Sequence, residues 1–176
     1  MMIAETPGAG VSGGGSMDPK QPRYVSVIGQ SECDAEMAAL GEELGELLAQ
    51  RGCVVVCGGT GGIMAAVAKG VRRAHGVCIG ILPTLDRVST DHELSYSICT
   101  GVGHARNLAV VASGDAVIAL GGQWGTLSEI GLARSIGRRV VLLHSWGLMP
   151  NAGELSGVAT ARTPADAVEL ALAEAD

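Results

Sequence analysis

The segment Gly121–Glu129, GGQWGTLSE, holds the residue types of this chain best suited to chemistry. Its glycines read as a turn that opens a helix. There, backbone N–H groups and the positive end of the helix dipole can receive an anion such as phosphate. Thr126 falls in the first helical turn, where its hydroxyl adds a further donor. Glu129 follows three residues later on a similar face of the helix. A bound phosphate repels a carboxylate, so Glu129 makes more sense directed at sugar hydroxyls or at a reacting carbon. An acid early in a helix also favours the helix terminus itself, and spacing alone leaves both readings open. Arg106, in GVGHARN, has two readings as well. It is either a surface or capping arginine, or the group that holds phosphate or ribose and keeps Glu129 ionised. His104 reads as a polar residue at a helix start rather than as an acid or base. Trp124 either covers a ligand or packs under the loop.

Three more glycine-containing junctions follow strand-like runs, Gly29-Gln30-Ser31-Glu32, Gly58-Gly59-Thr60-Gly61-Gly62 and Thr100-Gly101-Val102-Gly103. One such loop is explained equally well by the need of short turns for positive φ. Several on one edge of a sheet point to a phosphate site. The candidate phosphate- and nucleotide-binding residues are therefore Gly29, Ser31, Gly59, Thr60, Gly61, Gly62, Gly122, Gln123, Trp124, Gly125 and Thr126. The first loop, GQSECD, lacks the GxGxxG fingerprint, and VCIGIL ends in Pro83 with no carboxylate for a ribose, which argues against a dinucleotide. Neither of the first two junctions carries the Lys-Ser/Thr pair of a Walker A sequence.

These loops need a frame to hold them. Apolar runs at 24–29, 53–57, 77–82, 116–120 and 139–143, a weaker one at 96–100 and a short one at 157–161, alternate with helical patterns. The helical stretches are 34–50, 62–74, 103–112, 125–136 and 163–174. Runs nearly continuous in Val, Ile and Leu are expected of strands covered on both faces. Repeated β–α alternation implies right-handed crossovers. The expectation is an α/β fold with a doubly wound, mostly parallel sheet of about six or seven strands and helices on both faces. Its ligand would lie outside the carboxyl ends of the strands. Residues 1–22, rich in Gly, Ser and Pro, read as a disordered tail, and 23–176 as one nucleotide-binding domain.

The bulk composition excludes other classes. Hydrophobic residues make up 47% and charged ones 17%, a globular balance. A net charge of −6, with no basic stripe interleaved with aromatics, argues against nucleic acid as a partner. No apolar run is long enough for a membrane span, and the start lacks the basic and apolar regions of a secretory signal. Five cysteines without a CxxC, and histidines at 75, 92, 104 and 144, give no zinc spacing. No metal and no required cofactor are expected, and the protein reads as cytoplasmic. Two minor expectations concern Arg138 and Arg139, read as solvated arginines ahead of a strand, and Gly62–Ala74, read as an Ala-rich helix with no clear polar face.

Taken in order, GGTGGIMAAVAKG, GVCIGILP, GHARN and DAVIALGGQWGTLSEI resemble the LONELY GUY (LOG)-type branch of Rossmann-like proteins. That branch includes cytokinin nucleotide phosphoribohydrolases and molybdenum-cofactor carriers, and members labelled lysine decarboxylases. No lysine here is placed to carry pyridoxal phosphate. The resemblance runs from about Tyr24 to Trp146. It implies that Gly122, Gly125 and Thr126 hold a nucleotide phosphate, with Glu129 and Arg106 as catalytic residues at the sugar. The implied ligand is small and phosphorylated, an AMP-like nucleoside 5′-monophosphate or, alternatively, the molybdenum cofactor. It also implies a homodimer. The chain departs from the hydrolase pattern Pro-Gly-Gly-x-Gly-Thr-x-x-Glu at Gly121 and Gln123, and Ala105-Arg106-Asn107 stands where the hydrolases have Glu-Arg-Lys. These departures place it closer to the carrier-like branch.

Overall fold

The computed structural model describes residues 21–87, 93–148 and 156–174, so nearly all of the expected N-terminal tail lies outside the described residues. Seven strands form one parallel sheet: β1 (Tyr24–Gly29), β2 (Val54–Cys57), β3 (Val77–Leu82), β4 (Tyr96–Cys99), β5 (Ala116–Leu120), β6 (Arg139–Leu143) and β7 (Val158–Ala161). Their order across the sheet is β4-β3-β2-β1-β5-β6-β7. The helices are α1 (Ala35–Gln50), α2 (Gly62–Arg73), α3 (Asn107–Ser113), α4 (Trp124–Ser135) and α5 (Pro164–Leu172), with a 3₁₀ turn at Gly103–Arg106.

Side chains alternate across the strands and divide the core in two. Val25 and Val27 of β1, with Ile118 and Leu120 of β5, meet Leu44, Leu48, Ile63 and Val67 of α1 and α2, and α5 packs on the same side. Ile28, Val117 and Ala119 face the opposite way, against Val110 and Val111 of α3 and Ile130 and Ala133 of α4. All five residues of β5 are buried, as expected for a central strand covered on both faces. Ser26 is buried within β1, and its hydroxyl donates to the Val110 carbonyl at 2.6 Å, tying α3 to the sheet.

Two sequence expectations change. α2 does have a polar face, because Lys69 and Arg73 form ion pairs with Glu42 and Glu46 of α1. Its apolar residues are consumed inside the chain, and the two helices approach so closely that a Cβ at Gly70 would run into the Glu42 carbonyl. The helix read as lacking a polar face thus turns its apolar side to α1 and its charged side chains to Glu42 and Glu46. Arg139 is half-buried rather than solvated. Its guanidinium donates to the Leu170, Ala173 and Glu174 carbonyls at 2.8–3.1 Å, where a cation suits the carboxyl end of α5.

For function, the decisive feature is strand order. β1 has β2 on one side and β5 on the other, so the crossovers diverge at the carboxyl ends of β1 and β5. A crevice opens at such a switch point.

Candidate functional site

A pocket of about 280 Å³ lies at this point, walled by residues 28–31, Gly58, Thr60, Met64, His104, Arg106, Asn107, Gln123, Gly125, Thr126 and Glu129. Of the residues singled out from sequence, Gly29, Ser31, Thr60, Arg106, Gln123, Gly125, Thr126 and Glu129 come together in this wall. Gly59, Gly61, Gly62, Gly122 and Trp124 stand outside it. Gly61 is the residue before α2, and Gly59 and Gly62 shape the same turn. Gly122, at φ 143°, is a wedge behind the wall: a Cβ there would lie 3.0 Å from the Thr126 side chain and 3.1 Å from Trp146 Nε1. Trp124 turns outward, 76% exposed, with its ring 5.2 Å from that of Trp146. Sequence reading passed over Gln30, Gly58, Asn107, Met64 and Ile28. All five adjoin or lie inside segments already singled out, but only the fold shows which neighbours of a motif face the pocket.

The helix termini around the pocket differ from those elsewhere. At α1, Asp34 Oδ1 accepts from the Met37 amide at 2.8 Å, and at α5, Thr163 Oγ1 accepts from the Asp166 amide at 3.1 Å. At α2 and α4, which begin after Gly61 and Gln123, no side chain caps the first turn. The Gln30 carbonyl takes up part of this deficit at α2 by accepting from the Ile63 amide at 3.1 Å. At α4 no hydrogen bond takes up the amides of residues 124–126 among the described residues, no acid stands in that turn, and Gly125 and Thr126 form part of the pocket wall. Unpaired amides at the positive end of a helix form an anion receptor. Thr126 itself is buried.

Glu129 is the sixth residue of α4, beyond the first turn, so its position does not serve the helix terminus. Its side chain is 8% exposed and that of Arg106 10%, with Arg106 Nη1 lying 3.6 Å from Glu129 Oε1. That distance is an ion pair without a hydrogen bond. Other groups of the chain hold the guanidinium: Nη1 donates to Asn107 Oδ1 at 2.7 Å, and Nη2 donates to the Gly58 carbonyl at 3.2 Å. A Cβ at Gly58 would fall 2.6 Å from Nη2, so the close approach depends on glycine. Nε of Arg106 is buried and has no partner among the described residues.

Burial pushes the Glu129 carboxyl up to about 7, with Arg106 pulling it back only in part. Burial likewise lowers the Arg106 guanidinium, against the opposing pull of Glu129. A carboxyl poised near neutrality can take or give a proton at working pH, which suits general acid–base work. The site therefore sets helix-terminal amides of the kind that can receive an anion about one helical turn from a titratable carboxyl. Among the described residues no group of three or more His, Cys, Asp or Glu could hold a metal ion. No helix among them is long and apolar enough to cross a membrane.

This fold and site define a Rossmann-like protein of the LOG type, and the chain belongs to the SLOG cluster4 family, whose model matches residues 22–168. An uncharacterized protein of Archaeoglobus fulgidus is 43% identical over 119 residues, covering 68% of this chain and 78% of the relative. The cytokinin riboside 5′-monophosphate phosphoribohydrolase of Mycobacterium tuberculosis is 31% identical over 126 residues, 66% of this chain and 67% of the relative. Among solved structures, the molybdenum cofactor binding protein of the phototrophic bacterium Rippkaea orientalis superposes with a TM-score of 0.77 at 31% identity, covering 86% of this chain and 96% of the other.

Proposed function

We propose that the chain binds a nucleoside 5′-monophosphate of the AMP type and hydrolyses its N-glycosidic bond. The observation that carries this reading is the shared wall of one pocket, where open first-turn amides of α4 stand beside the buried Glu129 and Arg106. The phosphate lies at the amides and hydroxyl of Gly125 and Thr126. The ribose then extends toward Glu129, one turn along α4. As the base departs, positive charge grows at the anomeric carbon, and ionised Glu129 stabilises it. Water forms the new C–O bond as the C–N bond breaks. Glu129 takes the water's proton and later returns it to solvent, solvent supplies the proton that the departing base gains, and the products are ribose 5-phosphate and free base. The similarity to a phosphoribohydrolase over two thirds of that relative supports this chemistry.

A second reading is a non-catalytic carrier of the molybdenum cofactor, with that molecule as cargo and its phosphate at the same amides. It is favoured by the capture of both Arg106 Nη groups by Asn107 and Gly58, which leaves Glu129 without a hydrogen bond among the described residues. The structural likeness to a molybdenum cofactor binding protein supports it too. One incubation separates the readings: purified protein with AMP, the products resolved by chromatography, in wild type and Glu129→Gln. Adenine released by wild type but not by the variant supports the hydrolase. AMP retained and returned unaltered supports the carrier.

A homodimer and a cytoplasmic setting belong to the same proposal. Tyr96, Ile98 and Val102 are each more than half exposed at the β4 end of the sheet, apolar surface that a second copy would cover. Sedimentation of a monomer at high concentration would contradict the dimer.

A further inference from the structure

Gln30 spans the three glycine turns around the pocket. Its main-chain carbonyl accepts from the Ile63 amide at 3.1 Å, which fixes the start of α2. Its side-chain Oε1 accepts from the Gly122 amide at 3.3 Å, which steadies the turn leading into α4. The Gly122 amide N–H can only donate, so the carboxamide oxygen must be the atom that faces it. The NH₂ group then occupies the other branch of a half-buried side chain that itself forms part of the pocket wall. No partner takes up those two N–H donors among the described residues. Meanwhile the wall offers a phosphate one guanidinium, that of Arg106, whose Nη groups already serve Asn107 and Gly58. A phosphate seated here depends on neutral donors, and a carboxamide NH₂ supplies them without adding charge beside Glu129.

We infer that Gln30 is a ligand-positioning residue, its carboxamide oxygen holding Gly122 while its NH₂ donates to an oxygen of the bound phosphate. This rests on the placement of the phosphate at Gly125 and Thr126 given above. It makes Gln30 a determinant of selectivity for phosphorylated over unphosphorylated ligands.

Gln30→Glu isolates the second role, because a carboxylate of the same length keeps an acceptor for the Gly122 amide and replaces the NH₂ by a negative oxygen. Gln30→Met removes both groups at similar volume. Binding of AMP and of inorganic phosphate is measured by calorimetry, and unfolding by urea, for wild type and both variants. Gln30→Glu is expected to unfold at the wild-type urea midpoint yet to bind AMP at least tenfold more weakly at pH 8. Its affinity is expected to recover as pH falls through the carboxyl range, when the protonated acid again donates. A purely structural residue would give no such recovery. Gln30→Met is expected to lose affinity at every pH. Gln30→Glu binding AMP within twofold of wild type at pH 8 would overturn the inference about Gln30 alone. Wild type that binds neither AMP nor phosphate would overturn the phosphate reading itself, and the role of Gln30 with it.

Discussion

Replacing Glu129 by Gln is predicted to stabilise the protein at high pH and to leave it nearly unchanged at low pH. The folded chain holds this carboxyl at about 7, against an ordinary 4.5 when exposed on unfolding. An acid raised by folding binds its proton more tightly in the native state, so the native state carries more protons between those values. Stability then falls as pH rises through that window. Each tenfold change in proton affinity is worth about 1.4 kcal/mol. Between about 4.5 and 7 the loss therefore approaches roughly 3 kcal/mol. Glutamine has the same shape and no titration, so the variant escapes the loss. Urea unfolding of both proteins from pH 4.5 to 8.5 gives the difference in stability as a curve. The curve is expected to start near zero and to climb toward about 3 kcal/mol in favour of the variant by pH 8, on the order of 6–12 °C in Tm for a chain of this size. A flat curve, or one in which wild type gains on the variant as pH rises, would refute the reasoning. A flat curve would mean that Arg106 offsets burial, and a gain of wild type with pH would mean that Arg106 outweighs it.

Other perturbations follow from packing and from the loops. Gly122→Ala introduces a Cβ 3.0 Å from Thr126 at φ 143°, so the turn before α4 must shift. The variant is expected to lose about 1–3 kcal/mol in urea unfolding and to bind AMP at least tenfold more weakly in calorimetry. Gly70→Ala drives a methyl into the Glu42 carbonyl between α1 and α2. It is expected to cost about 3 kcal/mol or more, read as a fall in the unfolding midpoint, without a specific effect on the pocket. Ser26→Ala removes the hydroxyl that donates to the Val110 carbonyl at 2.6 Å. A loss of roughly 1–2 kcal/mol is expected, because a buried carbonyl loses a donor, and a neutral result would show that this bond does not anchor α3.

The buried elements were legible in the sequence because burial on both faces writes itself as a continuous apolar run. Tyr24–Gly29, Val77–Leu82 and Ala116–Leu120 have as strands the bounds that their apolar runs suggested. β4 gave a weaker signal for a physical reason: as an edge strand it keeps Tyr96 and Ile98 exposed, so its run is broken by polar residues. The pairing of Thr126 with Glu129 was readable from helical spacing, and the glycine turns from composition. The direction of Trp124 was not, because it is set by Trp146, remote in sequence and brought alongside by β6. Arg139 misled for the same reason, since the carbonyls it serves lie more than thirty residues away at the end of α5. Gln30 shows the limit most clearly. Nothing in the string GQSE distinguishes it, and its contacts with Gly122 and Ile63 exist only once three crossovers converge on one sheet edge.

The central claim is that the open first turn of α4 receives a phosphate. Calorimetric titration of wild type with AMP and with adenosine tests it most directly, because the two ligands differ only in the phosphate. The amides and hydroxyl of Gly125 and Thr126 would be left unpaired by adenosine, and a charge-assisted hydrogen bond is worth roughly 1.5–3 kcal/mol. AMP is therefore predicted to bind at least tenfold more tightly than adenosine. Equal affinities, or binding of adenosine alone, would contradict the account.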